Sequence, residues 1–176
     1  YQDAAHQSSC PACPEGKYQT EKGQSSCHSC DVGRYSLERG LLSPLSCQAC
    51  PLGKVQGDTA QHSCEACRGG RYHDLTGQTS SNSCQDCPAG KYQNAKSESS
   101  CHACLEGQYS DCSGDATCQE CAKGQYQDAA NQSSCNLCPF GKYGNEEGVP
   151  HCQDCGAGEY QDAEGRDSSQ YCRDCR

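Results

Sequence analysis

The sequence predicts small disulfide-rich repeats stacked into an elongated rod or solenoid-like array, with short β-hairpins and little regular secondary structure. Three observations carry that prediction. Only twelve of the 176 residues are Leu, Val or Phe, and Ile, Met and Trp are missing; the share lies far below the ~20% under which a chain cannot bury enough apolar surface to order itself. Cysteine supplies 21 residues, a density that marks a disulfide scaffold in an oxidising compartment. Third, a Cys-x-x-Cys pair recurs along the whole chain at an almost constant step.

The pairs begin at residues 10, 27, 47, 64, 84, 101, 118, 135, 152 and 172. Successive steps are 17 or 20 residues, so the difference is a three-residue insertion. A fixed period of this kind is the mark of a repeat architecture. Residues 1–176 therefore read as one tandem array of 17- or 20-residue cysteine-rich repeats, truncated mid-repeat at both ends. Closing each loop of ~15 residues with a disulfide contributes about 3 kcal/mol on the chain-entropy model, and hydrogen bonds, cystine and tyrosine must supply what the missing core does not.

Within each interval the elements follow in a constant order. Gly stands three positions after the opening cysteine in all nine intervals, from Gly16 to Gly158, which predicts a turn with positive φ or a close backbone approach. Tyr follows two residues later in eight of the nine, with Val55 as the exception. A two- to four-residue strand is expected through Lys-Tyr-Gln, another turn near Gly23, Gly40 or Gly77, and a short return into Cys-x-x-Cys. The tyrosine, as the one large apolar side chain of each unit, is expected to cover the cystine of its own or the neighbouring repeat with its hydroxyl at the rim. The insertions "LLSPLS", "TSSNS" and "GRDSSQY" are expected as surface bulges. Each unit is expected to touch only its neighbours.

The same cysteine spacing is compatible with zinc ribbons. A row of zinc sites uses the pairs two at a time, so intervals within a site should differ from those between sites. Here the Gly-x-Tyr signature fills intervals of both lengths alike, with Val55 as its one exception, which favours cystines; spacing alone does not assign their connectivity.

"CPEGKYQTEKGQSSCHSC" and its copies, such as "CPAGKYQNAKSESSCHAC", resemble the ephrin-receptor-like cysteine-rich repeats, which are similar to modules of tumour-necrosis-factor-receptor ectodomains. The resemblance implies an elongated extracellular array without catalytic residues. It also implies the economical ladder in which the second Cys of each pair joins the first of the next: Cys13–Cys27, Cys30–Cys47, Cys50–Cys64, Cys67–Cys84, Cys87–Cys101, Cys104–Cys118, Cys121–Cys135, Cys138–Cys152 and Cys155–Cys172. One unit departs from the pattern. "CHACLEGQYSDCSGDATCQEC" holds the extra Cys112, which either crosses the bridges as Cys101–Cys112, leaving Cys87 unpaired, or stays spare as a free thiol or interchain bond; the second reading is preferred. Cys10 and Cys175 lack partners and are candidates for inter-repeat or interchain bridges, as if the chain were one window of an array continuing head to tail.

Other chemistry is sparse. The histidines scatter over different repeat positions, and His28 and His102, inside Cys-x-x-Cys pairs, read as solvated. Ser-Ser before Cys reads as turn capping or O-glycan sites, since no Ser/His/Asp constellation can be built from it. Asn131-Gln-Ser is an N-glycosylation sequon. No apolar run is long enough for a membrane span, and the net charge of −9 argues against nucleic acid or an anionic membrane as partner. The expected function is an extracellular or cell-surface structural array, a stalk, spacer or filament-forming protein partnered by itself head to tail or laterally and carrying glycans. The alternative is a receptor or adhesion ectodomain that binds a protein ligand. Neither reading involves a cofactor, a metal or an enzyme activity.

Overall fold

The computed structural model describes residues 11–175; Cys10 lies outside them. Nine disulfides close nine successive loops: Cys13–Cys27, Cys30–Cys47, Cys50–Cys64, Cys67–Cys84, Cys87–Cys101, Cys104–Cys118, Cys121–Cys135, Cys138–Cys152 and Cys155–Cys172. These loops are numbered below as repeats 1 to 9. Their Cα–Cα separations of 5.7–5.9 Å lie at the centre of the range a disulfide permits. Among the described residues there is no α-helix; secondary structure consists of nine two-stranded hairpins and three short 3₁₀ turns.

Each hairpin forms for local reasons. In repeat 1, Lys17 donates its N–H to the Pro14 carbonyl at 3.1 Å, closing a four-residue turn whose third residue, Gly16, has φ +73°. That is the arrangement of a type II turn, which needs φ > 0 at this position. The chain leaves the turn as strand Lys17–Tyr18, which pairs antiparallel with His28–Ser29 in the register Lys17↔Ser29 and Tyr18↔His28. Cys30 then donates to the Gly16 carbonyl at 2.8 Å, so hairpin and cystine lock the same loop. The last repeat does the same with Glu159–Tyr160 against Arg173–Asp174.

The insertions of the longer repeats form the 3₁₀ turns Pro44–Ser46, Ser81–Ser83 and Ser169–Tyr171. Ser43, Ser80 and Ser168 cap them, each hydroxyl accepting from the main-chain N–H two residues on. The inserts sit on the surface, except that Leu41 is buried and bridges Tyr18 of the preceding repeat.

Two compact units divide the chain: one runs up to Arg68 and adds Tyr72–Gln85 and Lys96–Ser100, and the other takes Gly69–Arg71, Asp86–Ala95 and Cys101 onward. In the first unit, Gly16, Gly33 and Gly53 donate N–H to the carbonyls of Ser36, Gln56 and His73 of the following repeat. In return, the N–H groups of Gly40, Ala60 and Gly77 bond the carbonyls of Cys13, Cys30 and Cys50 of the preceding one. The second unit repeats the arrangement, with Gly90, Gly107 and Gly124 donating to Ser110, Gln127 and Gly144, and Gly114, Asn131 and Gly148 donating to Cys87, Cys104 and Cys121.

The expectation that each repeat touches only its immediate neighbours is corrected. Gly16 of repeat 1 packs on repeat 3, where an added Cβ would come within 2.3 Å of the Ala60 carbonyl oxygen. Gly107 of repeat 6 packs in the same way on Gly148 of repeat 8. A hairpin only two residues long leaves its turn uncovered, and the main chain two repeats further on fills the gap.

Candidate functional site

With so little apolar surface, the buried side chains of this chain gather at the contacts between repeats. At the centre of each is the residue directly after the tyrosine, or after Val55 in repeat 3. Ser36, Gln56, His73, Gln93, Ser110, Gln127 and Gln161 are all buried polar residues, and Gln93 is 1% exposed. Beside them lie the opening cysteines of repeats 1 to 8, all buried.

The buried amides are satisfied mainly within their own loops, although Gln161 donates Nε2–H to the Lys142 carbonyl of the preceding repeat at 3.3 Å. Gln127 donates Nε2–H to the Ser134 carbonyl at 2.7 Å and accepts at Oε1 from the Ala129 N–H at 3.2 Å. Gln56 does the same with Ser63 and Asp58. Where serine replaces glutamine, the shorter side chain reaches less far: Ser36 accepts from the Glu38 N–H. His73 uses Nδ1 to accept from the Leu75 N–H at 3.0 Å, so that ring nitrogen carries no proton. Main-chain groups of the same residues serve the stack, because Gln127 donates its N–H to Val149 while its carbonyl accepts from Gly107. One side chain therefore shapes its own loop while its backbone ties two others, and the hydrogen bonds offset the cost of taking these polar groups out of water.

Sequence reasoning placed tyrosine over the cystines, and Tyr18 does line one hollow with Cys30 and Cys47, the cystine of the next repeat, but it missed this polar column. Tyr18, Tyr35, Tyr72, Tyr92, Tyr109, Tyr126 and Tyr143 are half-buried, and Tyr160 is 43% exposed. Alternation along a strand places Tyr and the following residue on opposite faces, and the polar one faces inward. The tyrosines lie over their cross-strand partners: Tyr18 on His28 with ring centroids 5.5 Å apart, Tyr92 on His102 at 5.7 Å, and Tyr109 donating its hydroxyl to Gln119. Val55, in the tyrosine position of repeat 3, is buried in a cluster with Cys67 and Cys84, the cystine of repeat 4. The signal that could have found the column is recurrence, since Gln follows the Gly-x-Tyr or Gly-x-Val triplet at 19, 56, 93, 127 and 161.

The second turn carries the other half of the contact. Gly40, Gly77, Gly114, Gly148 and Gly165 have positive φ there, and so do Ala60, Ser97 and Asn131 where glycine is missing.

Of the cysteines without an expected partner, Cys112 and Cys175 are free thiols on the surface. Cys101 is bonded to Cys87 and Cys104 to Cys118, so Cys112 is the spare cysteine rather than a member of crossed bridges. The charge of Asp111, a hydrogen bond to the same carboxylate, slight desolvation and the charge of Asp115 push its thiol above the ordinary value. Asn131 is exposed on the turn of repeat 7. Cys155, Glu159 and Cys172 bring three potential metal ligands together, but both sulfurs belong to one cystine and offer no thiolate. Among the described residues no helix is long and apolar enough to cross a membrane.

The family model described as tyrosine-protein kinase ephrin type A/B receptor-like matches residues 1–43, 75–114 and 107–149, more than half of the chain. The chain belongs to this family. No individual curated protein matches it. The ephrin-receptor-like match and the nine-rung disulfide ladder agree with each other, and repeats of this type are extracellular modules.

Proposed function

We propose that this ephrin-receptor-like array is an extracellular structural element, a stalk, spacer or filament-forming protein, whose copies dock head to tail. One observation carries the reading: the same set of main-chain hydrogen bonds recurs from repeat to repeat within each unit. A rod needs interchangeable units, whereas a ligand site needs one surface unlike the rest.

Docking between copies is supported by the interchangeability of the repeats, since Gly16, Gly33 and Gly53 each donate to the following repeat in the same way. Contacts of this heterologous kind do not close and so generate open series. Cys112 offers a lateral interchain bond. The acidic surface leaves nucleic acid and anionic membranes outside the partner set.

Sedimentation velocity of the oxidised protein over rising concentration tests the reading. An open series of oligomers is expected, with a covalent fraction that dithiothreitol removes and that Cys175→Ser lowers. A single monomer at every concentration would sink self-assembly and leave a stalk or spacer at most. A receptor or adhesion ectodomain is the second reading, favoured by the loop around Cys112, which departs from the other repeats. A soluble protein ligand whose binding is lost on exchange of residues 110–117 for a standard repeat turn would establish it in place of the first.

A further inference from the structure

We infer that Asn131 is an N-glycosylation site, and that the fold presents it so that a glycan is carried without disturbing the stack. The sequon is Asn131-Gln132-Ser133, with no proline at its centre, the pattern an oligosaccharyltransferase requires. A sequon alone is only a motif; the geometry at Asn131 adds the reasons that bear on use.

Asn131 occupies the second turn of repeat 7 with φ +63°. Asparagine enters this left-handed region at far lower cost than most residues, so it can stand where other repeats have glycine. All of its structural work is done by the main chain. Its N–H donates to the Cys104 carbonyl at 2.9 Å, and its carbonyl faces Gly90, where an added Cβ would come within 2.2 Å. The side chain makes no hydrogen bond among the described residues and is exposed, as is Ser133. The adjoining boundaries also leave room. Asp86, Glu120 and Leu137 lie under the turn glycines Gly114, Gly148 and Gly165, whereas the equivalent position for Asn131 is the small Ala103.

The chemistry needs a polyprenyl-pyrophosphate-linked oligosaccharide as co-reactant. The amide nitrogen Nδ2 of Asn131 forms a bond to C1 of the first sugar as the bond from C1 to the pyrophosphate oxygen breaks. The amide loses one proton to the enzyme's base, and polyprenyl pyrophosphate leaves. No electrons are exchanged. The inference rests on the extracellular reading, since this transfer occurs on the secretory route.

The test is expression of the full chain through a eukaryotic secretory pathway, followed by intact-mass measurement before and after peptide-N-glycosidase. We expect the secreted protein to carry one glycan that the glycosidase removes, converting Asn131 to Asp. Asn131→Gly, which keeps the positive φ, and Ser133→Ala should both lose the glycan and retain nine disulfides, while Ser133→Thr should keep it. A secreted, fully bridged chain with the bare polypeptide mass would overturn the inference and leave the extracellular reading intact. A chain retained in the cytosol with free thiols would overturn both.

Discussion

Replacing Gly107 with alanine separates the two reasons why glycine stands at the first turn of a repeat. The residue has φ +77°, where an L side chain costs about 1–2 kcal/mol. Its added Cβ would also lie 1.9 Å from the carbonyl oxygen of Gly148, where ordinary contact begins at 3.4 Å. The main chain must then part at this point, at the expense of the Gly107 N–H bond to Gln127 and the Gly148 N–H bond to Cys121, 2.7 and 2.8 Å long. At about 0.5–1.5 kcal/mol net per hydrogen bond, the separation adds about 1–3 kcal/mol to the conformational strain. Gly158 provides the control, since its φ is +83° and nothing lies within 4 Å of an added Cβ, so Gly158→Ala should cost the strain alone. Native-state hydrogen exchange reads the difference locally. In Gly107→Ala the Gly148 amide should exchange about 5- to 150-fold faster, over and above the change Gly158→Ala causes around its own turn. Equal effects of the two variants would refute the argument that contact with the next-but-one repeat stabilises the stack.

Gln127→Ala strands the Ser134 carbonyl and the Ala129 N–H, and should cost about 1–3 kcal/mol, read as a lower denaturant midpoint with the disulfides intact; a change under about 0.5 kcal/mol, the scale of a surface substitution, would remove the polar column from the account. Because Asp111 holds the Cys112 thiol above its ordinary pKa, less thiolate is present at pH 8, so alkylation of Cys112 should be slow and should speed up in Asp111→Asn or in high salt. Equal rates in Asp111→Asn and the parent would reject that cause. Removing the repeat 7 bridge with Cys121→Ser and Cys135→Ser opens a loop of sequence separation 14 and should cost about 3 kcal/mol. Complete reduction in native buffer should abolish hydrogen-exchange protection throughout, because the remaining composition is that of a disordered chain; retained protection would mean that the cystines are dispensable.

Much of this protein is legible in its sequence because its structure is closed locally. A disulfide between residues 14 or 17 apart, a Pro-x-Gly turn and a two-residue hairpin all lie within one period. Cysteine spacing and the glycine after each opening cysteine therefore announce the unit, and the residue pattern around them announces the family. The shortage of Leu, Val and Phe likewise determines that cystine must stand in for a core. What the sequence could not decide is how one unit meets another. Tyrosine is the most apolar side chain at hand and glutamine reads as a surface residue, yet Gln93 is buried and Tyr92 beside it is only half-buried. The reason is that a stack held by main-chain hydrogen bonds has a polar interior, where an amide that both donates and accepts fits better than a ring. The reach from Gly16 to Ala60 was equally hidden, because it depends on the rotation between successive hairpins, which no residue encodes by itself. Three turn positions hold Ala60, Ser97 and Asn131 at positive φ in place of glycine, and only the tertiary contacts pressing on those turns decide that they adopt it.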